Sequence, residues 1–510
     1  MSAPRKAFRI QLVKVQPRQS LANSLEQTIM LRKVTSVVKL MEWTIQGATK
    51  VKVLSPEMPD VIEVDIFHIM EDSMKGNDKA SYHSLYRDRR PRYVLKWILN
   101  ELGRSFVFLL RDWRNMQGKL NQIAVRAKQD KRLKFTSLIH LINAENLAEC
   151  YRELKRNRAC SIDQVTVEVY GENLEEKLKT LVDSMKRKQY QPQPVKRVYI
   201  PKAGREEKRG LGIPSTEDKL VQIMLKKILE NIYEANFLDS SYGFRPGRSC
   251  HQAVNVLNKA VMYKPINHIV EVDIKKFYDN IQHKWLMRCL RERITDPNLL
   301  WLVKRFLKAG IVEAGHYKAT EQGAPQGGVA SPVLANIYLH YVLDLWFEKK
   351  CKPRSRGYME LIRYADDLLI CCENEEDARE FLELLKQRLR KFGLEISENK
   401  TRIVKFGKKE WQQSVKEKRK TESFNFLGFT HYRARSRHGR LIMGHKTSKL
   451  SQARKLKGIK EWLKMVRNYI CLKDWWQVLK AKLIGHYNYF GVSVQRSGRK
   501  WLRDKQKDLK

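Results

Sequence analysis

The chain has 510 residues, 42% of them hydrophobic, enough to bury substantial cores and, by length alone, to form about three domains. Its 100 Lys and Arg stand against 56 Asp and Glu, a formal charge of +44, which exceeds what solubility needs and points to a polyanionic partner, nucleic acid first. The sequence has no apolar run of about 18 residues to span a bilayer. Its start, MSAPRKAFRIQLVKVQPRQ, lacks the apolar core of a secretory signal. The eight cysteines show no C-x-x-C spacing, so neither a zinc site nor a disulfide framework is indicated and a cytosolic protein with reduced thiols is expected.

In chain order, residues 1–111 mix short helical and strand-like stretches around Pro56, Pro59 and the basic break Arg87-Asp88-Arg89-Arg90-Pro91-Arg92, and no function is legible there. From about Met116 the pattern becomes regular, predicting helices near 119–134, through Lys155 and over 174–188. Residues 195–200 read as a strand, the Pro-, Gly- and charge-rich stretch after them as a turn, and 210–213 as the returning strand. Lys202, Arg205, Lys208 and Arg209 on this basic hairpin are candidates to grip a triphosphate, because arginine makes forked hydrogen bonds to phosphate oxygens. Taken alone, solvated surface is the commoner fate of such side chains.

The segment His268-Ile269-Val270-Glu271-Val272-Asp273-Ile274 alternates like a strand and ends in a carboxylate. Tyr364-Ala365-Asp366-Asp367 lies between two apolar runs, Leu361-Ile362 and Leu368-Leu369-Ile370, and places adjacent carboxylates at a hairpin tip. A pair of Asp in a turn is by itself often only a solvated turn. With Asp273, however, the carboxylates suit hard divalent cations such as Mg2+, and a two-metal phosphoryl transfer site holds its ions roughly 3.5 to 4 Å apart. Cys371 and Cys372 continue the second strand, where small polarizable side chains pack well.

Residues 430–510 carry 22 Lys and Arg against 4 Asp and Glu, the composition of a nucleic-acid surface. Lys446, Lys449, Arg454 and Lys455 are the candidate contacts. Trp462, Trp475, Trp476, Tyr487, Tyr489 and Phe490 are interleaved with them; most are expected to pack helices, and a minority to stack on bases.

Several of these words occur in one fixed order: LGIPSTEDKLVQ, SYGFRPGRSCHQAV, VDIKKFYDNIQH, QGAPQGGVASPVLANIYLHYVLD, RYADDLLICCE, GLEISENKT, FNFLGF and LIGHYNYFGV. Together, over residues 116–491, they resemble the reverse transcriptases encoded within bacterial group II introns; no single word is specific, but the ordered set is. The resemblance implies an α+β right-hand polymerase. Fingers and palm, with an antiparallel sheet plus helices, would cover 116–429. A helical thumb or maturase domain would cover 430–510, and 1–115 would be an extension of unknown role. It implies RNA-templated addition of dNTPs to a primer 3'-hydroxyl with two Mg2+ ions, and as partners an RNA template and primer, group II intron RNA and a DNA target. A nucleic-acid-associated protein of the bacterial cytoplasm follows.

By the same resemblance, Asp273 and Asp366 are the main metal ligands, Ile274 lends its backbone carbonyl and Asp367 supports the second carboxylate. Phe277 matches the aromatic that lies under the incoming sugar, although a core aromatic is the plainer local reading. Gln326, in the glycine-rich QGAPQGG, is the candidate contact to the nascent base pair. Arg245 and Arg248 in GFRPGRS are candidates to hold template or phosphate, with pairing to a structural carboxylate an equal alternative for each.

Three departures from the family pattern stand out. Gly210 replaces a customary proline after Arg209, and Ser161-Ile162-Asp163-Gln164 replaces a Gly-rich turn, so loosened fingers are expected. After the LIGHYNYFGV word the sequence runs through RSGRKWLRDKQKDLK and stops, which suggests a shortened C-terminus without a Cys/His endonuclease module. Intron mobility would then need a primer from nicked DNA or a replication fork. The alternatives to an active polymerase with maturase function are an RNA-binding splicing cofactor and a reverse transcriptase recruited to host defence or a CRISPR locus.

Overall fold

A computed structural model describes residues 50–53, 62–65, 116–156, 159–201, 208–436, 438–439 and 441–491. The chain divides into two units, Met1–Asn121 and Gln122–Lys510. In the first, β1 (Lys50–Val53) and β2 (Ile62–Asp65) pair antiparallel. Helix α1 covers Gln117–Gln129.

The second unit is a mixed α+β assembly. It opens with α2 (Ala144–Arg152), α3 (Val167–Gly171) and α4 (Leu174–Lys186), then β3 (Val195–Pro201) and β4 (Lys208–Ile213), the basic hairpin read from the sequence. Helices α5 (Thr216–Tyr233) and α6 (Cys250–Tyr263) follow, and then β5 (His268–Asp273). Helix α6 starts with a capping box in which Ser249 and Gln252 bond reciprocally. Next come α7 (Phe277–Asn280), α8 (His283–Arg291), α9 (Pro297–Leu307), β6 (Ile311–Glu313), β7 (His316–Lys318) and α10 (Ser331–Leu339). The chain continues through β8 (Met359–Tyr364), β9 (Asp367–Cys372), α11 (Glu375–Lys391), β10 (Arg402–Lys405) and α12 (Lys408–Lys416). It closes with β11 (Phe424–Phe426), β12 (Phe429–Arg435), β13 (Leu441–Thr447), α13 (Lys449–Val466) and α14 (Leu472–Phe490).

The central sheet has the order β10-β5-β9-β8, all antiparallel. One face carries a core in which α6 residues Ala253, Leu257 and Val261 meet Ile269, Ile362, Leu369 and Cys371. Phe424, Phe426 and Met443 of the β11-β12-β13 sheet join the same cluster. Each fully buried aliphatic or aromatic side chain there stabilises by roughly 1.5–3 kcal/mol relative to exposure. Residue 430 is the second residue of β12, the strand between those that carry Phe426 and Met443. Cys371 and Cys372 are fully buried, and all eight cysteines are free thiols.

The basic hairpin belongs to a second sheet, β4-β3-β6-β7. Both sequence departures are accommodated next to it. Gly210 lies within β4 opposite Tyr199, and Gln164 adopts φ 55°, the left-handed backbone for which glycine is the usual residue. The Ser161 hydroxyl donates to the Ile213 carbonyl at 3.0 Å, tying that turn to β4. No helix among the described residues is long and apolar enough to cross a membrane.

Candidate active site

Asp273 closes β5 directly opposite Asp367, the first residue of β9. Ala365 and Asp366 form the two-residue turn between β8 and β9, and Ala365 adopts φ 57°. A left-handed first position matches the tight turns that join antiparallel strands; for alanine it is strained, which requires support from the surroundings.

That support is built from residues the sequence reading did not single out. Arg363 and Asp344 form a fully buried ion pair, with Nε donating to Oδ1 at 2.7 Å and Nη2 to Oδ2 at 2.6 Å. The Arg363 Nη1 donates to the Ala365 carbonyl at 3.1 Å and to Asn336 Oδ1 at 2.9 Å. Asn336 Nδ2 in turn donates to the Gly243 carbonyl at 2.7 Å. A Cβ on Gly243 would collide with the Ala365 backbone nitrogen, so SYGFRPGR supplies a glycine where the turn needs close approach. The same segment runs beside β8, with Tyr242 N–H donating to the Arg363 carbonyl at 2.8 Å and Arg363 N–H to the Ser240 carbonyl at 2.7 Å. Asp344 closes a π-helical turn, His340–Asp344, a deformation often found near functional sites.

On its other edge, Asp273 is gripped by the segment after α11. Ser397 N–H donates to the Asp273 carbonyl at 2.7 Å, and Lys275 N–H to the Glu395 carbonyl at 2.8 Å. Ile274 therefore sits at the unbonded rung opposite Ile396 and points its own carbonyl away from that segment, towards the β9 side. Lys400 Nζ donates to Asp273 Oδ2 at 2.7 Å.

Among the described residues, no group of three or more His, Cys, Asp or Glu side chains is placed to hold a metal by itself. Mg2+ does not require one, because it takes one or two protein carboxylates and fills its remaining positions with substrate phosphates and water. Two half-buried to exposed carboxylates facing each other across a strand pair, with a backbone carbonyl beside them, fit that demand.

The other candidates fall in different places. Phe277 is 2% exposed and packs edge-on to Tyr278, with ring centroids 5.3 Å apart. The glycine-rich loop bridges two elements: Gly212 N–H donates to the Gln326 carbonyl at 2.5 Å, while Ala324 N–H donates to the Tyr278 carbonyl at 2.8 Å. Gly327, at φ 114°, rests against the Gly212 carbonyl so closely that a Cβ would clash. Half-buried Gln326 is thus held between the basic hairpin and the helix that carries Phe277. Lys202 and Arg205 lie outside the described residues, and Arg209 is placed by its backbone in β4 opposite Ile200.

Arg245 is buried and its guanidinium is committed. It donates to Glu234 at 2.6 Å and 3.1 Å, and to the Leu238 and Ser241 carbonyls at 2.6 Å and 2.8 Å. Pairing with a structural carboxylate, one of the two readings of the sequence, is what the geometry favours. Arg248 pairs with Asp239 and lies over the Tyr242 ring. Lys446, Lys449, Arg454 and Lys455 are exposed on β13 and α13.

A reverse transcriptase (RNA-dependent DNA polymerase) family model matches residues 200–431, the stretch from the basic hairpin to β12. The chain is 35% identical over 298 residues to the group II intron-encoded protein LtrA of Lactococcus lactis subsp. cremoris, covering 56% of this chain and 49% of that protein. It is 30% identical over 363 residues to protein YkfC of Escherichia coli (strain K12), covering 64% of this chain and 90% of that protein. A 91 kDa protein in the cob intron of Schizosaccharomyces pombe is 34% identical over 246 residues, 46% of this chain and 29% of its own length. The chain spans about half the length of LtrA. It belongs to the family of group II intron-encoded reverse transcriptases and maturases.

Proposed function

We propose that this chain is an RNA-directed DNA polymerase that extends a primer on an RNA template and also binds group II intron RNA. The observation that carries the reading is the register of Asp273 opposite Asp367, with Asp366 in the adjoining turn, inside the stretch that matches the reverse transcriptase family. Asp273, Asp366 and Asp367, with the Ile274 carbonyl, would hold two Mg2+ ions, which would supply charge neutralisation on the phosphates and activation of the attacking oxygen. The primer 3'-hydroxyl attacks the α-phosphorus of a dNTP and pyrophosphate leaves, so the protein's main task is positioning.

In this reading the unit adopts a right-hand arrangement. Fingers include the basic hairpin, whose Lys202 and Arg209 grip the triphosphate, the central sheet is the palm, and α13 and α14 form the thumb. The Gln326 loop sits against the nascent pair, and Phe277 shapes the sugar pocket from beneath. Arg248 and the exposed Lys446, Lys449, Arg454 and Lys455 meet nucleic-acid phosphates. Recognition of the intron for splicing, and of a DNA target for mobility, uses the same basic surface, with RNA shape and exposed bases supplying specificity.

Primer extension on an RNA template with dNTPs and Mg2+ tests this. Asp366→Ala should reduce synthesis at least about a thousandfold, as expected for loss of several kcal/mol of transition-state stabilisation, while RNA affinity stays within about twofold. Loss of binding together with synthesis would sink the assignment of Asp366. A folded, RNA-binding wild-type chain that makes no cDNA would instead favour the splicing-cofactor reading.

A further inference from the structure

Three ion pairs line the side of β5 that faces away from β9. Arg402 Nε donates to Glu271 Oε2 at 2.5 Å, Lys400 Nζ to Asp273 Oδ2 at 2.7 Å, and Lys275 Nζ lies 3.5 Å from Glu395 Oε2. The middle pair differs from its neighbours because its carboxylate also faces a second carboxylate, Asp367, across the strand. Like charges directly opposite each other on a sheet are destabilising, so a metal-free site needs a cation from the protein.

Lys400 is presented for that purpose by a built turn. Ser397 N–H donates to the Asp273 carbonyl, and the Ser397 carbonyl accepts from Lys400 N–H at 3.0 Å and Thr401 N–H at 2.9 Å. Both the backbone and the side chain of Asp273 are thus held by residues 397–400, two positions before β10 enters the central sheet. The Lys400 and Asp273 side chains are 37% and 34% exposed, so solvent reaches the pair and a dissolved cation can compete for it.

The geometry points to Lys400 as an internal counter-ion that neutralises Asp273 while no metal is bound and is displaced when a divalent cation enters. This rests on the reading of Asp273 as a metal ligand. Lys400 is here a positioning residue: it sets how readily the site accepts metal. The consequence is a site whose occupancy is graded by metal concentration, because each ion must displace an ammonium before it reaches the carboxylate.

Mn2+ binding to the full chain, without nucleic acid or dNTPs and followed by electron paramagnetic resonance, tests the proposal. A half-exposed pair contributes about 0.2–1 kcal/mol, so Lys400→Met should tighten Mn2+ binding by up to about fivefold, whereas Lys400→Arg, which keeps the cation, should stay near wild type. A second readout is the melting temperature. Without divalent ions Lys400→Met should melt below wild type, and saturating Mn2+ should stabilise it more than wild type, because metal binding to the folded state alone adds stability. Equal Mn2+ affinity in wild type and Lys400→Met would overturn the counter-ion role while leaving the metal site standing. Binding that is absent in both, or unchanged by Asp273→Asn, would overturn the role and the assignment of Asp273 together.

Discussion

Ala365 is held in a left-handed conformation that costs an alanine of order 1–3 kcal/mol, and the Arg363 guanidinium is the group that fixes its carbonyl. Stability and turn geometry can be separated at this arginine. Arg363→Met leaves Asp344 charged and unpaired in the core, a loss of about 3–5 kcal/mol, whereas removing both partners with apolar residues costs far less. Urea unfolding should therefore show the double variant Arg363→Met/Asp344→Leu to be more stable than Arg363→Met. It should still synthesise cDNA at least about tenfold more slowly, since the Ala365 carbonyl and Asn336 have lost their donor. Full activity in the double variant would mean that the pair serves stability alone. The carboxylates were legible in the sequence because Asp273 ends an alternating strand pattern and Asp366-Asp367 sit between two apolar runs. Their supports were not, because Asp344, Asn336 and Gly243 approach the turn from distant segments. The one local signal was an arginine inside the strand LIRY, where an unpaired charge would be intolerable.

At the scale of elements, the strands and helices read from periodicity appear where alternation or amphipathic spacing was strong, as in β3, β5 and α4. What periodicity does not carry is docking, and the end of α14 is an example. Tyr489 stacks on Phe429 with centroids 5.6 Å apart, its hydroxyl donates to the Leu427 carbonyl at 3.0 Å, and its own carbonyl lies 2.8 Å from His251 Nε2. An aromatic expected to pack among the thumb helices thus joins α14 to β12, to the link before it and to α6. Tyr489→Ala should raise the KM for primer-template several-fold and shorten products, with the single-nucleotide rate at saturation changed less than about twofold; Tyr489→Phe, which keeps the stack, should recover most of the loss. Equal falls in both constants would argue against a positioning role. The β12 strand offers a pH test. His431 is fully buried against Phe424, and burial, with His445 nearby, pushes its pKa down to about 3. An unfolded histidine titrates near 6.5, so between these values the unfolded chain binds the extra proton and stability falls as pH drops. His431 should account for about 2 kcal/mol of the loss at pH 5, and urea unfolding of His431→Phe at pH 7.5 and pH 5 should show a correspondingly smaller difference than wild type.

Across the whole molecule, the +44 charge is spread unevenly in function even where it is uniform in sign. Arg363, Arg245 and Arg433 are buried and occupied: the Arg433 Nε donates to the Phe406 carbonyl at 2.8 Å, and its guanidinium lies 4.9 Å from that ring. These cations serve the fold and are unavailable to phosphates. The exposed lysines and arginines of α13 are available, and beside them Leu456, Met465, Tyr469 and Trp476 are exposed on α13, α14 and the link between them. Cutting the chain at residue 430 would confuse the two roles, because β13 contributes Met443 to the shared core and β12 pairs with β13. A charge-only variant avoids that. Lys449→Gln/Arg454→Gln/Lys455→Gln/Lys457→Gln leaves every buried group in place and alters exposed positions only. Every single-stranded RNA phosphate that no longer meets a protein cation flattens the plot of log affinity against log salt by about 0.7. RNA titrations between low and moderate salt should therefore give a slope shallower by about 2 to 3, with weaker binding at low salt and unchanged melting temperature. An unchanged slope would place the phosphate-binding cations elsewhere, and would make the exposed apolar residues of α13 and α14 the stronger claim on the RNA, through stacking that salt does not screen.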